Sequence, residues 1–530
     1  MATAGLRLAK VLPFEEAYLP HISNVTLAVL SGVLMVLSFP DFESALIAWV
    51  AIAPLLLAIA REGNFWRALW LGEITGSVFY YGSCYWLTHS MINYGAVPPV
   101  VAYIILAIPA LIMGFFTALF AGVTAKIVKR FGARGLLAAP AIWVASEFAR
   151  LQITGIGWNS FGYSQAFHTE VIQIAQYTGV YGISFLLVSV SATLTFLSIA
   201  EYSRRKARRR TALALAIFLL PQILFAGYGW IERPAVKTEP ISVIGVQPVV
   251  PMTIEENTDE YIEYYDAHVQ LSEKELAAGD SALVIWPESS MNFDYDGNVA
   301  VQRSINNFAR QHRVNLLVNA SMRSPDGGYY NSVLLISPSG EKISEYDKIG
   351  LLPFGEYVPL RGYLPLIDRI PALAGDFVAG GNYSVGDIGN AKVGAFICFE
   401  STLPQIVRRL TLNGASLLVN VSNDGWFGRT PGARQHLAHA ILRAVENNRD
   451  LVRVTNSGIS ALINWRGEVV GATDLFEMTS KRWIAQKMDQ RLTIYTRYGD
   501  VFAILCAVVS AALFAAAFKK KREDNFSQVE

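Results

Sequence analysis

Apolar positions run almost without a break through the first 230 residues, interrupted by short polar loops. Candidate membrane spans lie at 25–39, 45–60, 67–90, 98–127, 134–151, 170–199 and 212–231. An eighth, "GDVFAILCAVVSAALFAAAF", covers 499–518. A spanning helix needs about 20 mostly apolar residues, so the two shortest runs are expected to be tilted or extended by their neighbours. The amino terminus lacks the short apolar core and small-residue cleavage site of a signal peptide and is expected to be retained.

Between about 235 and 495 the pattern changes. Short runs rich in β-branched and aromatic residues alternate with amphipathic stretches. "ISVIGVQ" (241–247), "ALVIWPE" (282–288), "VNLLVNAS" (314–321), "NSVLLISP" (331–338), "AKVGAFICF" (391–399), "ASLLVNVSN" (415–423) and "ISALINW" (459–465) read as strands. Helices are expected at 256–278, 299–312, 401–413 and 432–449. Such alternation predicts an α/β domain with a buried sheet. The fold class is therefore a membrane α-helical bundle of eight transmembrane helices joined to an α/β domain. The domains divide as 1–232 (helices one to seven), 233–497 (the α/β domain) and 498–530 (helix eight and a basic tail).

Charge orients this arrangement. "REGNFWR" (61–67), "KIVKRFGAR" (126–134), "SRRKARRR" (203–210) and "KKKR" (519–522) all fall on one side of the spans. The positive-inside rule places both termini in the cytoplasm and the α/β domain outside. Composition agrees: the chain is 52% hydrophobic and only 16% charged, with a mean hydropathy of +0.33, as membrane proteins are. A net charge of +1 offers nothing to a nucleic acid. Three scattered cysteines, Cys84, Cys398 and Cys506, provide neither a disulfide framework nor a zinc site. No metal and no cofactor is expected.

Cys84 and Cys506 lie in apolar runs, where a thiol is an inert hydrophobe. Cys398 lies in the polar middle, at the end of "VGAFIC". Glu288 ends "LVIWPE", and Lys348 sits in "SEYDKIGLLPFGEYVP". In α/β sheets functional groups collect beyond the carboxyl ends of strands. A thiolate to attack a carbonyl, a carboxylate to take the thiol proton and an ammonium to stabilise the oxyanion form a set for acyl transfer. Each residue also has a purely structural reading: Glu288 as the neighbour of a helix cap, Lys348 as a solvated loop charge. Their common strand-end placement in one domain favours the chemical one. His436 and His439, in "RQHLAHA", could pair with Cys398 or hold a metal. Two surface or capping histidines on one helix are the expected explanation instead.

The blocks "WPES", "YDKIGLLPFGEYVP" and "ICFES" resemble those of the carbon–nitrogen hydrolase (nitrilase) superfamily. With seven helices before and one after, the chain resembles the apolipoprotein N-acyltransferase family over nearly its full length. "SNDGWFG" (422–428), the following "QH", "TNSGISALI" (455–463) and "GWNSFGYSQ" (157–165) are similar to further blocks of that family. The resemblance implies an αββα nitrilase-like sandwich and a ping-pong reaction. In it Glu288 is the general base, Lys348 the oxyanion stabiliser and Cys398 the nucleophile. Glu356 and Glu400 support them. It also implies a phospholipid acyl donor, commonly phosphatidylethanolamine, and a diacylated apolipoprotein acceptor. The resemblance further implies a monomer in the bacterial inner membrane, with a periplasmic catalytic domain. A membrane-tethered amidase or nitrilase using the same three residues is the alternative.

Two departures stand out. Phe399 follows the nucleophile where the family often has tyrosine. The segment "VQPVVPMTIEEN" lacks the tryptophan expected there. Substrate-binding candidates are Phe399, Asn423, Trp426 and Phe427, which are expected to line an acyl pocket, and Trp158 and Tyr163. The last two sit in a Gly- and aromatic-rich loop (152–165) expected to form a lateral entrance near the lipid. Glu73, Glu147 and Arg150 are costly in lipid and are expected to face the bundle. Glu147 and Arg150 could pair with each other or meet a phospholipid headgroup.

Overall fold

The computed structural model describes residues 19–199, 239–251, 258–277, 282–289, 291, 293–359, 376–488 and 491–518. The expected span 212–231, the basic segments 203–210 and 519–522, and the second half of "VQPVVPMTIEEN" (252–257) lie outside the described residues.

The amino-terminal half is helical. Ala45–Glu62, Pro99–Thr154 and Val180–Ile199 are long and apolar enough to cross a membrane. Ile22–Leu37 and Val501–Ala516 are apolar but shorter. Several expected spans are divided. The 45–60 run splits into Ala45–Ala48 and Ala53–Glu62, and the 67–90 run into Phe65–Ser83 and Leu87–Asn93. The 170–199 run splits into Thr169–Ile172, Ala175–Thr178 and Val180–Ile199. Hydropathy cannot show such breaks, because a bent segment buried in protein is as apolar as a straight one.

Small residues set the packing. The helices Phe65–Ser83 and Pro99–Phe131 meet at Gly72 and Gly76, where a Cβ would collide with the Thr117 carbonyl oxygen and lie 2.6 Å from Gly114 Cα, respectively. This close approach uses the small-xxx-small spacing of membrane helices. Glu73 lies on this seam, accepting a hydrogen bond from Ser77 Oγ at 2.9 Å.

The described residues between 239 and 488 form an αββα sandwich of two six-stranded sheets. The strands, in chain order, are β1 (Glu239–Gln247), β2 (Leu283–Ile285), β3 (Asn315–Arg323), β4 (Tyr329–Ile336), β5 (Lys342–Asp347), β6 (Gly386–Asp387), β7 (Lys392–Ile397), β8 (Leu417–Ser422), β9 (Leu451–Thr455), β10 (Ala461–Ile463), β11 (Val469–Val470) and β12 (Thr479–Lys487). One sheet has the order β12-β1-β2-β3-β4-β5 and the other β11-β10-β9-β8-β7-β6. The central strands of each, β1-β2-β3 and β7-β8-β9, are parallel. Their inward faces, including Val243, Ile285, Leu317, Ala395, Val419 and Val452, share one apolar core. The outer face of the first sheet packs on the helices Thr258–Glu275 and Val299–His312.

Strands β5, β6, β9, β11 and β12 were not expected from the pattern. β12 is the outermost strand of its sheet and sets Lys481 and Arg482 side by side instead of alternating, and β9 carries an arginine. The expected strand 391–399 ends at Ile397, and the expected helix 401–413 begins at Pro404. Proline is well suited to the first turn of a helix, whose amide needs no partner.

The helix Gly432–Asn447 joins the two halves. Every residue in it except Arg434 is buried, because one side covers the second sheet and the other lies against the membrane helices. The expectation of surface histidines is therefore corrected: His436 and His439 are both fully buried.

Candidate functional site

Cys398 follows the last residue of β7 and opens a tight turn, Cys398–Thr402. Its φ of +50° lies in the left-handed region, which ends the strand and lifts the residue out of the sheet. A non-glycine residue held there costs on the order of 1–3 kcal/mol and persists only where its surroundings fix it. Glu400 supplies part of that hold. Its Oε2 accepts the Ile397 amide at 2.8 Å, while Oε1 accepts the Tyr346 hydroxyl at 2.8 Å and the Ile349 and Gly350 amides at 2.8 and 2.9 Å. One buried carboxylate thus ties the loop of Lys348 to the turn of Cys398. Burial raises its proton affinity, against the pull of the Gly350 and Ile397 amides.

Glu288 lies three residues beyond β2 and Lys348 directly after β5, both buried. The ammonium of Lys348 donates to Glu356 Oε1 at 2.7 Å and to Glu288 Oε1 at 3.3 Å. Asn331, at the start of β4, donates from Nδ2 to both carboxylates at 3.0 Å. Glu288 Oε2 accepts the backbone amide of Asn423 at 3.0 Å, and Glu356 Oε2 that of Leu352 at 2.9 Å. Burial alone would lower the proton affinity of Lys348, but the two carboxylates outweigh it and hold the ammonium charged. Burial, then the charge of Glu288, pushes the Cys398 thiol well above its usual range, with Lys348 opposing. The resting cysteine is therefore a thiol whose proton needs a nearby acceptor.

The structure thus brings Glu288, Lys348, Glu356 and Cys398 into one buried electrostatic unit, with Glu400 beside it. Asn331 and Asn319 were missed. Asn319 donates to Asn331 Oδ1 at 2.7 Å and accepts the Ser289 amide at 2.9 Å. Neither has a signal in the chain, since an asparagine at a strand position looks like any polar face. Arg453 was also missed, although a guanidinium in the apolar strand "LVRVT" is such a signal. It pairs with Asp424 Oδ2 at 2.7 Å.

The other candidates take distinct places. Phe399 is buried in the turn. Asn423 contributes its amide to Glu288, as above. Trp426 is half-buried against Tyr94, with ring centroids 4.8 Å apart. Phe427 packs on Trp86, Trp158 and His436. Trp158 and Tyr163, expected near the lipid, are instead buried against the joining helix. Trp158 Nε1 donates to Gln435 Oε1 at 2.9 Å, and the Tyr163 ring lies 3.9 Å from that of His439. Glu147 and Arg150 serve the same loop. Arg150 donates to the Ile156 and Trp158 carbonyls and to Ser160 Oγ, and Glu147 accepts the Phe161 amide at 2.6 Å. His436 Nε2 meets the carbonyl oxygen of Cys398 at 3.0 Å.

The comparisons with known proteins agree with this geometry. The apolipoprotein N-acyltransferase N-terminal domain matches residues 31–193, and the carbon-nitrogen hydrolase domain matches 240–491. An apolipoprotein N-acyltransferase of Geobacter metallireducens is 36% identical over 93% of this chain and 95% of its own. One from Nitrosomonas europaea is 32% identical over 92% of this chain and 96% of its own. One from Methylococcus capsulatus is 31% identical over 95% and 98%. Such identity across both halves leaves one conclusion: the chain belongs to the apolipoprotein N-acyltransferase family.

Proposed function

We propose that this protein transfers an acyl chain from a membrane phospholipid, through a thioester on Cys398, to the amino-terminal diacylglyceryl-cysteine of apolipoproteins. Cys398 Sγ attacks the donor ester carbonyl as Glu288 takes the thiol proton. Lys348 balances the charge on the tetrahedral oxyanion. The carbon–oxygen bond breaks, Glu288 returns the proton to the departing lysophospholipid alkoxide, and the thioester remains. The acceptor amine then attacks the thioester carbonyl and gives its proton to Glu288. The thiolate leaves and is reprotonated. The observation that carries this reading is the buried Glu288–Lys348–Glu356 cluster acting on a thiol held at a strained turn.

Glu356 keeps Lys348 charged, and Glu400 holds the two loops together. Phe399, Asn423, Trp426 and Phe427 border the acyl chain, with Trp158 and Tyr163 packed behind them. Phosphatidylethanolamine is the donor we favour. The chain divides at 232/233 and 497/498, and eight spans place both termini in the cytoplasm. The catalytic domain of a monomer then faces the periplasm from the inner membrane. The basic loops and apolar helices support this topology.

The test is to incubate purified protein with acyl-labelled phosphatidylethanolamine and a diacylated lipopeptide. Hydroxylamine-sensitive label is expected on Cys398 and then on the lipopeptide amine. An unlabelled wild type, or equal label on Cys398→Ala, would sink the mechanism. Hydrolysis by an amidase is less supported by the relatives. Release of free fatty acid or ammonia without lipopeptide acylation would favour it.

A further inference from the structure

Gln435 and His436 are neighbours on the helix Gly432–Asn447, and they tie different parts of the molecule together. Gln435 Oε1 accepts from Trp86 Nε1 at 3.1 Å, Trp158 Nε1 at 2.9 Å and Asn159 Nδ2 at 3.2 Å. Its Nε2 donates to the carbonyls of Pro40 and Ser83 at 3.0 and 2.8 Å. One side chain thereby spends its whole hydrogen-bonding capacity on three separate segments of the helical half.

His436 reaches the nucleophile. Its Nε2 lies 3.0 Å from the Cys398 carbonyl oxygen, its Nδ1 2.9 Å from Asp424 Oδ1 and 2.9 Å from Arg453 Nη2. A carbonyl only accepts, so Nε2 carries a proton whether the ring is neutral or charged. That commitment removes the imidazole as base for the thiol. Trp158 links the two neighbours, donating to Gln435 while stacking on the His436 ring at 5.5 Å and 27°. The Cys398 backbone is strained at φ +50°, and its carbonyl is held by a ring packed against the helical half.

We propose that His436 is a positioning residue for Cys398, fixing the strained turn from the helical half through Trp158 and Gln435. The inference rests on the reading of Cys398 as the acyl carrier. It makes the membrane helices part of the geometry of the thiol as well as a route for lipid.

The test uses the full-length protein in detergent and follows hydroxylamine-sensitive acyl label on Cys398 from labelled phosphatidylethanolamine. A misplacement near 1 Å costs about 100-fold in rate, so His436→Phe should lower the maximal acylation rate by about that factor. The donor concentration for half-maximal rate should stay unchanged. His436→Gln, whose amide can donate to the same carbonyl, should recover at least about tenfold of the loss. A His436→Phe rate within twofold of wild type, or a His436→Gln rate no better than His436→Phe, would overturn the proposal. Should His436→Phe fail to fold, Trp158→Phe decides: it keeps a stacking ring but loses the indole donor, and should slow acylation with an unchanged half-saturating donor concentration. A wild-type rate there would refute the link. An unlabelled wild type would count against Cys398 as acyl carrier. A labelled wild type with an indifferent His436→Phe would count against the positioning alone.

Discussion

The ammonium of Lys348 lies 2.7 Å from Glu356 Oε1, closer than the 3.3 Å that separates it from Glu288 Oε1. Glu356 therefore makes the shorter hydrogen bond to the ammonium, while both carboxylates share its charge. In Glu356→Gln the lysine should collapse onto Glu288, and acylation should fall about 100-fold, within the span of general acid–base effects. Lys348→Met should be worse. Removing one partner of a buried ionic cluster costs about 3–5 kcal/mol, so its melting transition in detergent should drop sharply.

Glu288→Gln should move two measurements in opposite directions. The negative charge of Glu288 helps hold the Cys398 thiol above its usual range, so removing it lowers that range and increases the thiolate fraction at pH 9. Alkylation of Cys398 by iodoacetamide, located by peptide mass spectrometry, should become faster there. Acyl transfer should become slower by about 100- to 10,000-fold for loss of the base. In the wild type the alkylation rate should still climb at pH 10, beyond where an ordinary thiol has levelled off. Parallel slowing of both reactions in Glu288→Gln would refute the assignment of the base.

Glu400→Ala removes the acceptor for three backbone amides and the Tyr346 hydroxyl. Each buried donor left alone costs about 1–3 kcal/mol. The variant should unfold at lower temperature and lose thioester formation. Glu400→Gln should fall between it and the wild type, because its carbonyl oxygen can still serve one loop. Equal stability of all three would show that the two loops are held by other contacts.

Two neighbouring residues on the joining helix should differ in weight. Arg434 pairs with Glu43 across the halves, but both side chains are partly exposed. Such pairs contribute about 0–1 kcal/mol, so Arg434→Gln should leave the melting temperature nearly unchanged. Gln435→Leu removes the side-chain partner of two indole donors and two carbonyls in the buried seam. It should melt far earlier in the same thermal scan.

Much of the candidate site was legible in the chain. Glu288, Lys348 and Cys398 each close or follow an apolar run, and a polar residue there invites a chemical explanation. Trp158 and Tyr163 were not legible in the same way. Aromatics in a glycine-rich loop read equally as an interfacial belt or as packing, and only the partner surface distinguishes them. The histidines failed for a related reason. The spacing of His436 and His439 puts them on one helix face, but burial depends on what lies opposite, here the helical half on one side and the second sheet on the other.

The sequence alone determined the division into an apolar helical part and an α/β part, most central strands, and the residue types able to attack, accept a proton and stabilise an oxyanion. Those are local properties: hydropathy, periodicity and side-chain chemistry act within a few residues of each position. The tertiary structure decided which partners share each charge. It set Glu356 nearer than Glu288 to Lys348, placed Asn331 between the two carboxylates, turned Glu400 into a tie between loops and directed His436 to the carbonyl of Cys398 rather than to its sulfur. These pairings join residues far apart in the chain, brought together by packed sheets and a helix buried on all sides, and no local pattern encodes such distances.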